Sequence, residues 1–254
     1  MIWIFPMAGR GSRTKQRGEF KPFIEINGRK MLAWLLRSIS AKIADSDKLV
    51  FVTTTEYADR FDVQRSISLI LQDEELSSHF VLITCEETPP GPSATVYQAR
   101  ERLYTDEPVI VINCDQYIDF DMGDLSQSES GFLPVYAEFT QKSSYVEIIN
   151  GVITRIVEKQ NISNLASAGV YAVSSGKALT EAIEKQFQDN QQTNGEFYVG
   201  VGLNNLIRNG FRFYPTSVRA KYDLGSLRGI DIFEQMCRRL YPQTNNEIVP
   251  TLVS

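Results

Sequence analysis

Short apolar runs alternate with stretches of helical spacing through the first half of the chain. Met1–Phe5, Lys48–Thr53, Phe80–Cys85 and Pro108–Asn113 are continuously apolar and predict strands buried on both faces. Met31–Ile43, Tyr57–Ser68 and Ser93–Leu103 fall between them and predict helices, the last capped by Ser93. Such alternation implies an α/β fold, a Rossmann-like mixed, mainly parallel sheet flanked by helices. Ligands of these sheets bind beyond the carboxyl ends of the strands. A glycine-rich turn after the first strand and Asp115 after the fourth both fall at that edge.

The second half is more mixed. Phe132–Phe139, Tyr145–Ile149 and Val152–Val157 predict strands, the last two joined by the hairpin signal Asn150-Gly151. Ala168–Val173 predicts a further strand, and Lys177–Lys185 and Gly200–Asn209 predict helices. A strand near Phe211–Pro215 precedes the segment Ala220–Gly225 and a helix over Ile230–Leu240. No repeat, low-complexity tract or flexible linker separates the halves, so a single domain over residues 1–254 is expected.

Composition narrows the classes. A net charge of -5 argues against a nucleic-acid binder, which would need a basic face. Three scattered cysteines, Cys85, Cys114 and Cys237, suit a reducing compartment better than a disulfide framework, and Cys85 and Cys114 read as buried core thiols. The one histidine, His79, has no second ligand beside it, which removes a zinc site and most histidine-based mechanisms. No run approaches the roughly 20 apolar residues of a membrane span, and no signal peptide is evident, so a cytoplasmic protein is expected.

The richest chemistry lies in the first turn. The apolar strand breaks into Gly9-Arg10-Gly11-Ser12-Arg13, and Lys21-Pro22 follows. Glycines let backbone N–H groups approach a phosphate, and the cations offset its charge. The spacing lacks the third glycine of the Rossmann fingerprint and the Gly-Lys-Ser/Thr of the Walker loop. It resembles instead the Gly-x-Gly-Ser/Thr-Arg…Lys-Pro signature of the sugar-phosphate nucleotidylyltransferases, the nucleotide-sugar pyrophosphorylases. Five or six segments in the family's order extend the resemblance from Met1 to about Leu240.

That resemblance implies a nucleotide-diphospho-sugar transferase-like fold, with residues 1–125 the nucleotide-binding half and 126–254 the acceptor-binding half. It implies an enzyme that couples an NTP to a sugar 1-phosphate, or to a related phosphorylated small molecule, with release of pyrophosphate, for surface polysaccharide synthesis. Ala8, Gly9, Gly11 and Ser12 would bind the nucleotide, with Gly91 and Ser93 from the loop Glu86-Glu87-Thr88-Pro89-Pro90-Gly91-Pro92-Ser93. Arg13 and Lys21 would be catalytic. Asp115, at the end of a buried strand, and Asp223, in an Asp-x-Gly segment, would hold Mg²⁺. Glu158, Lys159, Gly169 and Glu196 would bind the acceptor. An acceptor phosphate is already ionised near neutral pH, so no general base is required.

Two departures and two alternatives accompany this reading. Arg10 occupies a position that is often small or apolar, and Lys15 and Arg17 offer cations that could share the role of Lys21. Asp119-Phe120-Asp121 offers the Asp-x-Asp of a nucleotide-sugar-dependent glycosyltransferase, although the glycine loop and Lys21 would then lack a partner. A non-catalytic nucleotide-binding regulatory subunit would keep the fold, but Arg13, Lys21, Asp115 and Asp223 are all present. Homo-oligomerisation is compatible with the pattern; a membrane or nucleic-acid partner is not.

Overall fold

The computed structural model describes residues 1–77 and 79–240. Strand β1 (Ile2–Pro6) leads through the glycine loop to a small hairpin, β2 (Glu25–Ile26) with β3 (Arg29–Lys30), and to helix α1 (Met31–Ile39). Then follow β4 (Lys48–Thr54), α2 (Thr55–Arg60), α3 (Val63–Asp73), β5 (His79–Cys85), α4 (Pro92–Tyr97), α5 (Arg100–Leu103) and β6 (Val109–Ile112). The remainder comprises β7 (Gln116–Phe120), β8 (Ser130–Ala137), β9 (Ser144–Ile149), β10 (Val152–Glu158), β11 (Leu165–Ser167) and β12 (Val170–Val173). Helices α6 (Gly176–Gln188) and α7 (Val199–Arg208), strand β13 (Arg212–Asp223) and helix α8 (Leu227–Leu240) complete the described chain.

Eleven strands form one sheet, in the order β5-β4-β1-β6-β12-β8-β11-β9-β10-β13-β7, with a further β8–β13 pairing. The predicted mixed sheet flanked by helices is present. Parallel pairing belongs to β5, β4, β1 and β6 and to β8 with β13, while the hairpin-linked strands pair antiparallel. Strand β1 shows why the fold is double-sided. Trp3 and Phe5 enter one core with α1 and α3, while Ile2 and Ile4 enter the other with α4, α6 and α7. Alternating side chains are apolar on both faces, so neither face can be left to water.

A third cluster underlies the carboxyl edge. Ile24, Ile26, Met31, Trp34, Tyr117, Leu224, Ile230, Phe233 and Cys237 bury the hairpin against α1 and α8. The indole of Trp34 donates to the Ile26 carbonyl (2.8 Å) and meets Phe233 edge to face. This cluster seats the segments carrying Lys21 and Asp223 on one apolar floor.

The structure departs from the sequence pattern in several places. The helix expected over Tyr57–Ser68 is two helices, because Asp62 adopts a left-handed backbone (φ 44°) and Phe61 turns to stack on Phe20. The helix expected over Ser93–Leu103 is likewise split into α4 and α5, and its cap is Gly91, not Ser93. Pro92 takes the first helical position, which suits its fixed φ, and this draws Ser93 into the first turn. Phe211–Pro215 and Ala220–Asp223 are parts of one long strand, β13. Strand β7 was hidden by its polar Gln116 and Asp119. Of the expected core thiols, Cys114 is buried and Cys85, on edge strand β5, is half-buried; all three cysteines are free. Among the described residues no helix is long and apolar enough to cross a membrane.

Candidate active site

The loop after β1 is held open. Gly11 adopts φ 57° and starts a short 3₁₀ turn over Ser12–Thr14, closed by Thr14 donating to the Gly11 carbonyl (3.0 Å). A Cβ on Gly11 would approach Lys21 Cβ to 3.0 Å, so the glycine fits both the turn and the neighbouring lysine stem. At Gly9 a Cβ would meet nothing within 4 Å, and the loop's outer side is free. Within the described chain, no backbone N–H of residues 8–13 donates a hydrogen bond, although that of Met7 still pairs with Val52 (2.7 Å). A row of unused donors at a strand end is what an anion requires. Ala8 itself is fully buried and anchors the loop.

Two carboxylates and one ammonium converge beside this loop. Lys21 Nζ donates to Asp115 Oδ2. A Cβ built on Gly225 would lie 2.5 Å from Asp115 Oδ2, 2.9 Å from Asp223 Oδ1 and 3.2 Å from Lys21 Nζ, which bounds how close these groups are. The topology explains the meeting. Asp115 follows β6 and precedes β7, and antiparallel pairing sets Asp223 opposite Gln116. Leu224 N–H donates to the Asp115 carbonyl (2.8 Å), locking the two turns together. Asp223 is oriented by its own turn, accepting from Gly225 N–H and Ser226 Oγ (both 2.9 Å). Burial pushes the Asp115 carboxyl up, but the charges of Lys21, Lys221 and Arg13 outweigh it and hold it below its ordinary value. Asp115 is therefore ionised at neutral pH.

The cations of the loop are not equivalent. Arg17 is bound to Asp231 (2.7 Å) and Glu234 (3.0 Å) of α8 and serves to pin the loop, so it does not share the role of Lys21. Arg13 makes no hydrogen bond or ion pair among the described residues, yet its charge is felt at both Asp115 and Tyr198. Arg10 and Lys15 line a cleft of about 520 Å³ with Thr54, Glu56, Tyr57, Glu86, Glu87 and Thr88. That cleft spans the carboxyl ends of β1, β4 and β5.

A polar cluster lies on the opposite side of the loop. Hairpin register places Glu158 opposite Ser144, whose hydroxyl donates to the buried Glu158 carboxylate. Burial raises the Glu158 pKa against that hydrogen bond and the charge of Lys159. Lys159 Nζ donates to the Tyr198 hydroxyl, which in turn donates to Glu196. Tyr198 is pushed well above its usual range, first by burial and then by Glu196. Gly169 (φ 76°) sits at the same edge because β12 runs antiparallel to β6, but the space its missing side chain leaves belongs to Asn113, whose Nδ2 would be 2.6 Å from a Cβ.

Gly91 also serves the protein first. A Cβ there would lie 2.6 Å from the backbone N and O of Phe197. Ser93 N–H donates to the Phe197 carbonyl and Phe197 N–H to that of Pro90 (both 2.9 Å), so the loop before α4 is stapled to the segment bearing Glu196. Ser93 is fully buried, and its hydroxyl has no partner.

The Asp-x-Asp pair is already engaged. Arg219 binds Asp119 (2.8 and 2.9 Å) and Asp121 (2.6 Å), and Lys42 adds a third contact to Asp119 (3.0 Å). At ~3.3 Å per strand residue, Asp119 lies roughly 13 Å along the strand from Asp115. The pair is an internal clamp between β7 and β13. Arg219, opposing burial and aided by Lys42, draws the Asp119 pKa down from 3.8 to about 2. A depressed carboxyl contributes stability that is complete above its unfolded pKa and disappears as pH falls through the folded one. The difference in melting temperature between wild type and Arg219→Ala is thus expected to be constant at neutral pH and to shrink between about pH 4 and 2. Differential scanning fluorimetry across that window checks it.

Several site residues had weak sequence signals. Lys221 stands two residues before Asp223, and strand alternation puts both on one face. Tyr198 follows Glu196 at the same interval. Ser144, Asn113 and Gly225 enter through tertiary register alone.

The open parallel edge of the sheet thus carries a loop of unpaired N–H groups, a lysine and two carboxylates. Residues 4–122, slightly under half of the chain, match the family model of the MobA-like NTP transferase domain. The nucleoside-diphosphate-sugar pyrophosphorylase from Vibrio cholerae RC9 is 21% identical over 92% of this chain and 100% of its own, with a TM-score of 0.77. A UDP-glucose pyrophosphorylase solved with UDP-glucose is 17% identical over 94% and 98%, with a TM-score of 0.71. CTP:phosphocholine cytidylyltransferase from Streptococcus pneumoniae is 14% identical over 92% and 97%, with a TM-score of 0.67. At such identities the likeness is one of fold. The resemblance read from the motifs is met at that level and in the domain family. No curated protein sequence matches the chain.

Proposed function

We propose that the protein is a nucleotidyltransferase that joins the NMP part of an NTP to a phosphorylated small molecule and releases pyrophosphate. The observation that carries this reading is the convergence of Lys21, Asp115 and Asp223 beside a loop whose N–H groups are unused. A sugar 1-phosphate or a phospho-alcohol is the acceptor class, and activated precursors for surface polysaccharide are the products this resemblance favours. The names of the structural neighbours span both acceptor kinds.

The chain's own groups divide the work. Backbone N–H groups of Gly9 to Arg13 would cradle the β- and γ-phosphates, with Ala8 anchoring the loop, and Arg13, without a partner among the described residues, would neutralise them. Lys21 would leave Asp115 for the α-phosphate and stabilise charge as it builds there. An acceptor phosphate oxygen attacks the α-phosphorus in line; the new P–O bond forms as the bond to the pyrophosphate oxygen breaks, and no proton need move. Glu158, Lys159, Gly169 and Glu196 would hold the acceptor, with the Lys159 ammonium meeting its phosphate. Ser93 would support the nucleotide side through its bond to the Phe197 carbonyl, and Gly91 through its close approach to the Phe197 backbone.

Mg²⁺ fits the paired carboxylates. Both present hard oxygen donors to one small space at Gly225, and Asp115 is held ionised. Among the described residues Asp115 and Asp223 are the carboxylates that would hold it, and no group of three or more His, Cys, Asp or Glu is gathered there. When bound, it supplies charge neutralisation at the departing pyrophosphate.

Pyrophosphate release, measured with Mg²⁺ over the common NTPs crossed with sugar 1-phosphates and phospho-alcohols, tests the reading. One productive pair is expected. Nucleotide binding with no turnover across the panel would favour the regulatory-subunit alternative, and no nucleotide binding would contradict the reading outright.

A further inference from the structure

Lys221 is a cation without a carboxylate. It stands on β13 just ahead of Asp223, and strand alternation sets both side chains on one face. Its ammonium rests 5.0 Å from the centroid of the Tyr136 ring, and its charge is felt at Asp115. The Tyr136 hydroxyl fixes that ring, donating to Glu138 (3.1 Å) and lying 3.3 Å from the Ser143 hydroxyl. Among the described residues Lys221 makes no hydrogen bond or ion pair. A half-buried ammonium that meets only a ring face keeps its donors for an anion.

Its place in the sheet decides which phosphate it meets. Strand β6, which leads to Asp115, lies between β1 and β12, and β12 in turn pairs with β8. The glycine loop and Arg13 follow β1, on one side of Asp115. Tyr136 belongs to β8, so Lys221 lies on the other. In-line transfer puts the attacking oxygen and the departing pyrophosphate on opposite sides of the α-phosphorus. With the pyrophosphate over the glycine loop, the acceptor oxygen arrives from the β8 side. It must there approach Asp115, Asp223 and a polyphosphate, all of its own sign. Lys159 is already bonded to Tyr198 and lies 3.9 Å from Glu196. Lys221 has no such bond to give up.

We propose that Lys221 binds the phosphate of the acceptor and holds its attacking oxygen beside Asp115 and Asp223. This rests on the nucleotidyltransferase reading. The ammonium offsets the repulsion that the incoming phosphate meets at the carboxylates, and the Tyr136 ring supports it from behind. Lys21 must leave Asp115 to act, whereas Lys221 waits unpaired. The lysines thus divide between the phosphates, Lys21 on the nucleotide and Lys221 on the acceptor.

The test is steady-state pyrophosphate release by wild type, Lys221→Met and Lys221→Arg. Each is run on the pair that wild type uses among the common NTPs, sugar 1-phosphates and phospho-alcohols. Methionine keeps an unbranched stem on Tyr136 and removes the charge. A charge-assisted contact to phosphate supports roughly 10- to 100-fold. Lys221→Met is expected to lose that factor in kcat/KM for the acceptor, chiefly through a higher KM. Its NTP affinity, from equilibrium binding, and its melting temperature are expected to match wild type, and Lys221→Arg to recover most of the loss. An unchanged acceptor KM in Lys221→Met overturns the assignment and leaves the nucleotidyltransferase reading standing. A loss confined to kcat, which would make Lys221 a tuner of Asp115, does the same. So does an equal loss of NTP affinity, which would give Lys221 to the nucleotide. No productive pair for wild type overturns both.

Discussion

Asp115→Asn is expected to lower turnover at least ~100-fold while leaving the fold intact. The substitution keeps the size of the side chain and removes one charge, and Asp115 is only half-buried at the rim of the sheet. The lost charge weakens the metal pair with Asp223 and turns the ion pair with Lys21 into, at most, a neutral-acceptor hydrogen bond. The turn itself survives, because Leu224 N–H bonds the backbone carbonyl of residue 115 and not its side chain. Turnover measured by pyrophosphate release, alongside the melting temperature, separates the two effects. Wild-type turnover in this variant would remove Asp115 from the mechanism.

Lys21→Ala is expected to reduce kcat by about 100- to 1000-fold with a smaller change in nucleotide affinity. Charge grows on the α-phosphate as the acceptor attacks, so a cation reaching it there acts most strongly at that moment. Arg13 and the free N–H groups remain to bind the ground-state triphosphate. Steady-state kinetics with a separate binding measurement decides the matter; a loss confined to affinity would make Lys21 a binding group only. Pro22 and the Ile24–Trp34 floor hold the segment's backbone, so the variant should fold.

Much of this site could be read from the chain because its parts sit at ends of strongly patterned elements. β1 and β6 are apolar on both faces, so the residues after them had to lie at the ligand edge. The break between α2 and α3 could not be read, since Asp62 is forced into a left-handed backbone by the packing of Phe61 on Phe20. β7 escaped for a related reason. Asp119 is tolerable inside only because Arg219 and Lys42 arrive from distant segments to neutralise it. The same clamp gives Asp119 and Asp121 a structural role that sequence spacing alone did not show. Gly91 and Gly169 illustrate the opposite limit: their lack of a side chain was legible, but the neighbours that use the space, Phe197 and Asn113, were not.

The reaction is tested most directly by ³¹P NMR of the protein with Mg²⁺, an NTP and its matched acceptor phosphate. The expected spectrum gains the paired diphosphate-diester resonances of a nucleotide-linked product together with pyrophosphate, in equal amounts, as the NTP and the acceptor monoester disappear. Formation of NDP and inorganic phosphate, or of a nucleotide product without pyrophosphate, would contradict nucleotidyl transfer at this site.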